Sequence, residues 1–103
     1  MKVPVSARAA LLRELLEGPG HGLALILRIS DATEEAVILG EGSVYPELVA
    51  MRDEGLITLE EHREDPRRGG RAARVATLTE KGTALAKEQK TTVLALYLRR
   101  PSR

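Results

Sequence analysis

Ser43-Val44-Tyr45-Pro46-Glu47-Leu48-Val49-Ala50-Met51-Arg52-Asp53-Glu54-Gly55-Leu56-Ile57-Thr58-Leu59 reads as a helix that passes into a strand within one run. Ser43 is the expected N-cap, because a hydroxyl there can accept from an unsatisfied N–H of the first turn. Pro46 is tolerated in that first turn, where no helical acceptor waits for its missing N–H. Val44, Leu48 and Met51 recur at helical spacing and form the expected buried stripe. Gly55 occupies the position of a C′ residue, where a left-handed backbone favours glycine. Leu56 to Leu59 is β-rich, and so is Arg74-Val75-Ala76-Thr77-Leu78 beyond a charged segment containing Asp65-Pro66-Arg67-Arg68-Gly69-Gly70. These two runs are expected to form a hairpin with a long basic tip.

Two helices are expected upstream. Ser6 can cap the first, whose apolar residues are Ala10, Leu11, Leu12, Leu15 and Leu16, with Gly18 and Pro19 ending it. Gly20 to Gly22 open the second, with Leu23, Ile26, Leu27 and Ile29 inside, and Ser30 to Glu35 form a polar connection. Ala36-Val37-Ile38-Leu39 is short and β-branched, so a brief strand ended by Gly40 is expected between the second and third helices. Thr79 caps a last helix that can run to about Arg100, before Pro101. Its stretch Val93-Leu94-Ala95-Leu96-Tyr97-Leu98 is apolar on every side and needs a partner, most simply a second copy of the chain.

The fold class that follows is α+β, mostly α: a winged helix-turn-helix of three helices and a two-stranded wing, followed by a C-terminal dimerisation helix. Residues 1–78 are the expected winged helix-turn-helix domain, and residues 79–103 the dimerisation helix. Leu85, Val93, Leu94, Leu96 and Tyr97 are the expected dimer interface.

The chain has 103 residues, enough for one compact domain. It has no cysteine and two histidines, His21 and His62, so thiolate zinc sites, disulfides and iron–sulfur clusters are excluded. Apolar runs such as Leu23 to Leu27 fall far short of a membrane span, and a cytoplasmic location without membrane contact is expected. Gly18-x-Gly20-x-Gly22 lacks the continuation of a nucleotide-binding loop, so neither an enzyme nor a cofactor or metal is expected. The net charge of +1 conceals a division, since residues 1–62 carry −6 and residues 63–103 carry +7. Such asymmetry fits contact with nucleic acid, although two solvated faces would give the same count.

A third helix can enter the major groove of double-stranded DNA while a hairpin tip reaches flanking phosphates. Arg63, Arg67, Arg68, Arg71 and Arg74 stand against Glu64 and Asp65, a balance of +3 over twelve residues. The plainer reading is a solvated loop whose arginines discourage edge pairing.

Four segments together carry a family resemblance: Leu15-Leu16-Glu17-Gly18-Pro19-Gly20-His21-Gly22, Gly42-Ser43-Val44-Tyr45-Pro46-Glu47-Leu48, Glu54-Gly55-Leu56-Ile57 and Leu78-Thr79-Glu80-Lys81-Gly82. In this order and spacing, over residues 10–85, the chain resembles PadR-type transcriptional regulators. The resemblance implies a homodimeric repressor with a C-terminal dimerisation helix. It places Ser43, Tyr45 and Pro46 at the start of the recognition helix, with Val44 and Glu47 in the same element.

The chain departs from the family pattern where Val49-Ala50 replace residues that are commonly basic, and residues 41–54 sum to −3. An acidic recognition helix opposes phosphate, so an alternative is a winged-helix module that binds another protein. Relatives that stack flat ligands at the dimer interface imply a small-molecule effector there. Tyr45 and Tyr97 are the chain's only aromatics, and an apolar cavity of Tyr97, Leu94 and Leu98 is the form such a site could take.

Overall fold

The computed structural model describes residues 5–63 and 72–98. Among the described residues, four helices and a three-stranded antiparallel sheet follow the order α1 (Ala7–Leu15), β1 (Gly20–His21), α2 (Gly22–Ala32), α3 (Glu41–Asp53), β2 (Ile57–Arg63), β3 (Ala72–Leu78) and α4 (Glu80–Leu98). The α+β, mostly helical class is as expected. The sheet order is β1-β3-β2.

The Ser6 hydroxyl caps α1 by accepting from the Ala9 N–H at 3.1 Å, and Leu11, Leu12 and Leu15 form its buried face. Arg28 of α2 secures the turn that follows, donating to the carbonyls of Glu14, Gly18 and Pro19 and to the Glu14 carboxylate. The Glu14 carbonyl also accepts from the Glu17 N–H at 2.9 Å, so Arg28 reinforces a turn that the backbone has already closed and ties the Gly18 and Pro19 carbonyls to α2.

The third strand lies elsewhere than expected. Gly20 and His21 leave the turn extended and pair with Ala76 and Val75, so they form β1 rather than the opening of α2. Residues 36–39 form no strand. Their region instead follows a helix end at which Glu34 and Glu35 take positive φ, and the Glu35 N–H reaches the Ser30 carbonyl at 2.7 Å. The Thr33 hydroxyl donates to the Ile29 carbonyl and accepts from the Val37 N–H, which turns Val37 into the core and leaves Ile38 exposed.

The buried stripe of α2 is Gly22, Leu25, Ile26 and Ile29. Leu23 and Leu27, expected inside, are 44% and 60% exposed. Gly22, Leu25, Ile26 and Ile29 follow the i, i+3, i+4, i+7 spacing of one helix face, which leaves Leu23 and Leu27 on the other side.

The third helix starts at Gly40, its N-cap, rather than at Ser43. Ser43 lies within its first turn, and Pro46 therefore falls in the second turn. Val44, Leu48 and Met51 are buried as the spacing predicts. Gly55 has φ +78, the Leu56 N–H returns to the Met51 carbonyl at 2.9 Å, and Met51 and Leu56 both enter the core. This is a helix end of the Schellman type, and it passes directly into β2.

Strands β2 and β3 pair from Ile57↔Leu78 to Arg63↔Ala72, a longer hairpin than the β-rich runs alone indicate. Thr79 joins the sheet to α4. Its hydroxyl accepts from the Gly82 N–H at 3.0 Å and donates to the Gly55 carbonyl at 2.6 Å. Gly82 and Ala86 are buried, and a Cβ at residue 82 would collide with the Leu56 carbonyl. The first half of α4 thus packs on the body, where Gln89 also donates to the Ala9 carbonyl.

Candidate nucleic-acid interface

The residues expected to contact DNA fall into two groups, and the structure separates those facing outward from those built into the fold. In α3, Ser43, Tyr45 and Pro46 are exposed, whereas Val44 is wholly buried and serves packing. Tyr45 lies against the start of α2, and a Cβ on Gly22 would come within 2.9 Å of its ring. Glycine at residue 22 thus lets the tyrosine ring approach the backbone closely. The His21-Gly22 and Tyr45-Pro46 signatures, distant in sequence, meet here. His21 caps α2 with Nδ1, which accepts from the Ala24 N–H at 3.2 Å.

Glu47 is not presented as an open acid. Arg8 Nε donates to Glu47 Oε2 at 2.8 Å, and Arg8 Nη1 donates to Glu54 Oε1 at 2.8 Å. One guanidinium therefore spans two acids on one side of α3. The hydrogen bond and charge of Arg8 hold the Glu54 carboxyl below its ordinary range, and the two acids in turn raise the Arg8 pKa. Lys81 Nζ adds a donor to the Glu54 carbonyl at 2.9 Å. Sequence reasoning missed Arg8 because nothing local links it to a helix 39 residues away.

In the hairpin, Arg74 is exposed and pairs in register with Glu61, its Nε 3.9 Å from Glu61 Oε1. Arg63 is the last residue of β2. Arg67, Arg68 and Arg71 lie outside the described residues.

Along α4, exposure rises towards the end of the described helix. Leu85 is 38% exposed, Val93 45%, Leu96 63% and Tyr97 81%. Leu94 and Leu98 are exposed as well. Among the described residues, no group of acids and histidines is arranged to hold a metal ion. No helix among them is long and apolar enough to cross a membrane.

Comparison with known families matches residues 11–88 to the transcriptional regulator PadR-like family. The chain belongs to this PadR-like family. The matched span runs from α1 into α4 and includes all four sequence signatures. No curated protein sequence matches the chain.

Solved structures share the PadR-like fold. A PadR-like transcription factor from Bacteroides fragilis is 22% identical with a TM-score of 0.72, over 87% of this chain and 82% of that one. A transcriptional regulator from Clostridium thermocellum is 17% identical with a TM-score of 0.68, over 90% and 92%. Bacillus subtilis PadR in complex with operator DNA is 21% identical with a TM-score of 0.64, and the match covers 93% of this chain but 48% of that one. The order of elements common to a PadR-like regulator is therefore present, and the winged-helix expectation agrees with it.

Proposed function

We propose that the chain is a homodimeric, DNA-binding repressor. In this reading α3 of each copy enters the major groove, the two helices lie about 34 Å apart on a roughly palindromic operator, and the β2–β3 arginines hold the flanking backbone. Residues 1–78 read DNA and residues 79–103 join the copies through Leu85, Val93, Leu94, Leu96 and Tyr97. Repression follows from blocking access of polymerase to the promoter.

The observation that carries the reading is the pairing of Arg8 with Glu47 and Glu54. An acidic α3 would repel phosphate, but these two acids are engaged within the molecule, and Ser43, Tyr45 and Pro46 stay exposed. The operator-bound Bacillus subtilis PadR supports the same use of this fold. The protein-binding alternative is motivated by Glu47, Val49 and Ala50 where basic residues are expected, and the Arg8 contact weakens it by engaging Glu47 within the molecule. An electrophoretic mobility shift with the DNA upstream of the chain's own gene tests the proposal. A retarded complex of two chains per duplex is expected, and no retardation at low salt would overturn it.

A further inference from the structure

Helix geometry decides which residues of α3 a duplex would meet. Successive residues turn by about 100°, so the side opposite the buried Leu48 carries Gly42, Ser43, Pro46, Ala50 and Asp53, with Val49 at its edge. Gly42, Ser43, Pro46 and Asp53 are exposed, and Val49 and Ala50 partly so. Glu47 and Glu54 lie towards α1, held by Arg8.

The chemistry of this outer face is unusual for reading bases. Arginine and lysine pair with guanine, and asparagine and glutamine with adenine, through two hydrogen bonds each. None of these four types lies on the outer face itself; Arg52 borders it, with its guanidinium engaged by the Asp53 carboxylate at 3.1 Å. Small apolar groups at helical spacing lie across it: Pro46 and Ala50 at its centre and Val49 at its edge. Their size lets the helix backbone approach the groove floor closely. The apolar feature of a base edge in the major groove is the C5-methyl group of thymine.

We propose that α3 selects its operator by packing Pro46, Val49 and Ala50 against thymine methyl groups, with Ser43 supplying a hydrogen bond at the start of the helix. The proposal rests on the DNA-binding reading above and names the base chemistry that reading requires.

The full chain is first used to select preferred sites from a pool of random duplexes. Affinity for a selected duplex is then compared with the same duplex carrying deoxyuridine for thymine, which deletes only the C5-methyl group. Roughly fourfold weaker binding is expected for each methyl group buried, with binding to unrelated duplexes unchanged by the replacement. Val49→Ala should bring the thymine-to-uracil ratio closer to one. Equal affinity for thymine and uracil sites, with sequence selection retained, would overturn methyl readout and leave DNA binding intact. Failure to bind any duplex at low salt would overturn both.

Discussion

Arg8 and Glu47, 39 residues apart in the chain, form a 2.8 Å ion pair that ties the first turn of α1 to the second turn of α3. The same guanidinium holds Glu54 near the end of α3. It both orients the third helix and lessens its negative charge, so its loss should affect DNA binding more than folding. Arg8→Gln is expected to change stability by about 1 kcal/mol or less, because the pair is solvent-accessible. It should weaken DNA binding by roughly 3- to 10-fold at 0.1 M salt, as freed carboxylates repel phosphate. Thermal unfolding and a binding titration on one preparation separate the two effects, and a large loss of melting temperature without a change in affinity would contradict this role.

The Glu54 carboxyl gives this pairing a pH signature. Its folded pKa lies below the ordinary value because Arg8 hydrogen-bonds the carboxylate. The unfolded chain therefore takes up a proton first as pH falls, and the contribution is complete above about pH 4.3 and fades as pH drops through the folded pKa. Glu17, beside Arg13, shifts in the same direction for the same reason. Melting temperature measured from pH 6 to pH 3 should fall less steeply in Glu54→Gln than in the parent. Identical slopes would deny the pairing in solution.

Gly82 and Gly42 should respond oppositely to alanine. A Cβ at residue 82 meets the Leu56 backbone, whereas one at residue 42 meets open space. Gly82→Ala is expected to destabilise by about 1–3 kcal/mol through forced displacement of α4. Gly42→Ala, inside a helix, should stabilise by roughly 0.5–1 kcal/mol. Denaturant midpoints of the two variants provide the comparison.

How far the sequence disclosed this arrangement depended on the range of the interactions. Val44, Leu48 and Met51 declared α3 by spacing, and Gly55 and Thr79 marked its end and the start of α4, because caps and helical stripes are local. Two residues of strand have no periodicity, so β1 at Gly20–His21 could not be read, and its pairing with β3 is set only in the folded chain. The run 36–39 had the composition of a strand, but Thr33 fastens its Val37 backbone to the end of α2 instead. At the candidate site the exposed Ser43, Tyr45 and Pro46 were found by motif. Arg8 was not, since a pair between distant segments leaves no local pattern.

The apolar half of α4 predicts association. Leu94 and Leu98 are 49% and 74% exposed, large apolar side chains that a second copy of the helix would cover. Leu94→Asp is expected to shift sedimentation from dimer to monomer and to weaken operator binding at least tenfold by removing the second half-site contact. A parent protein that sediments as a monomer at micromolar concentration would refute dimerisation through α4.

Binding of double-stranded DNA by α3 and the arginines of segment 63–74 is the proposal on which the others depend. Its most direct test is fluorescence anisotropy with the duplex upstream of its own gene, titrated across a series of salt concentrations. The logarithm of affinity should fall linearly with the logarithm of salt, with a slope of about −0.9 for each phosphate neutralised. Arg67→Ala with Arg68→Ala should reduce that slope by roughly 1–2 on every sequence tested. No binding at low salt, or an affinity indifferent to salt, would contradict the claim.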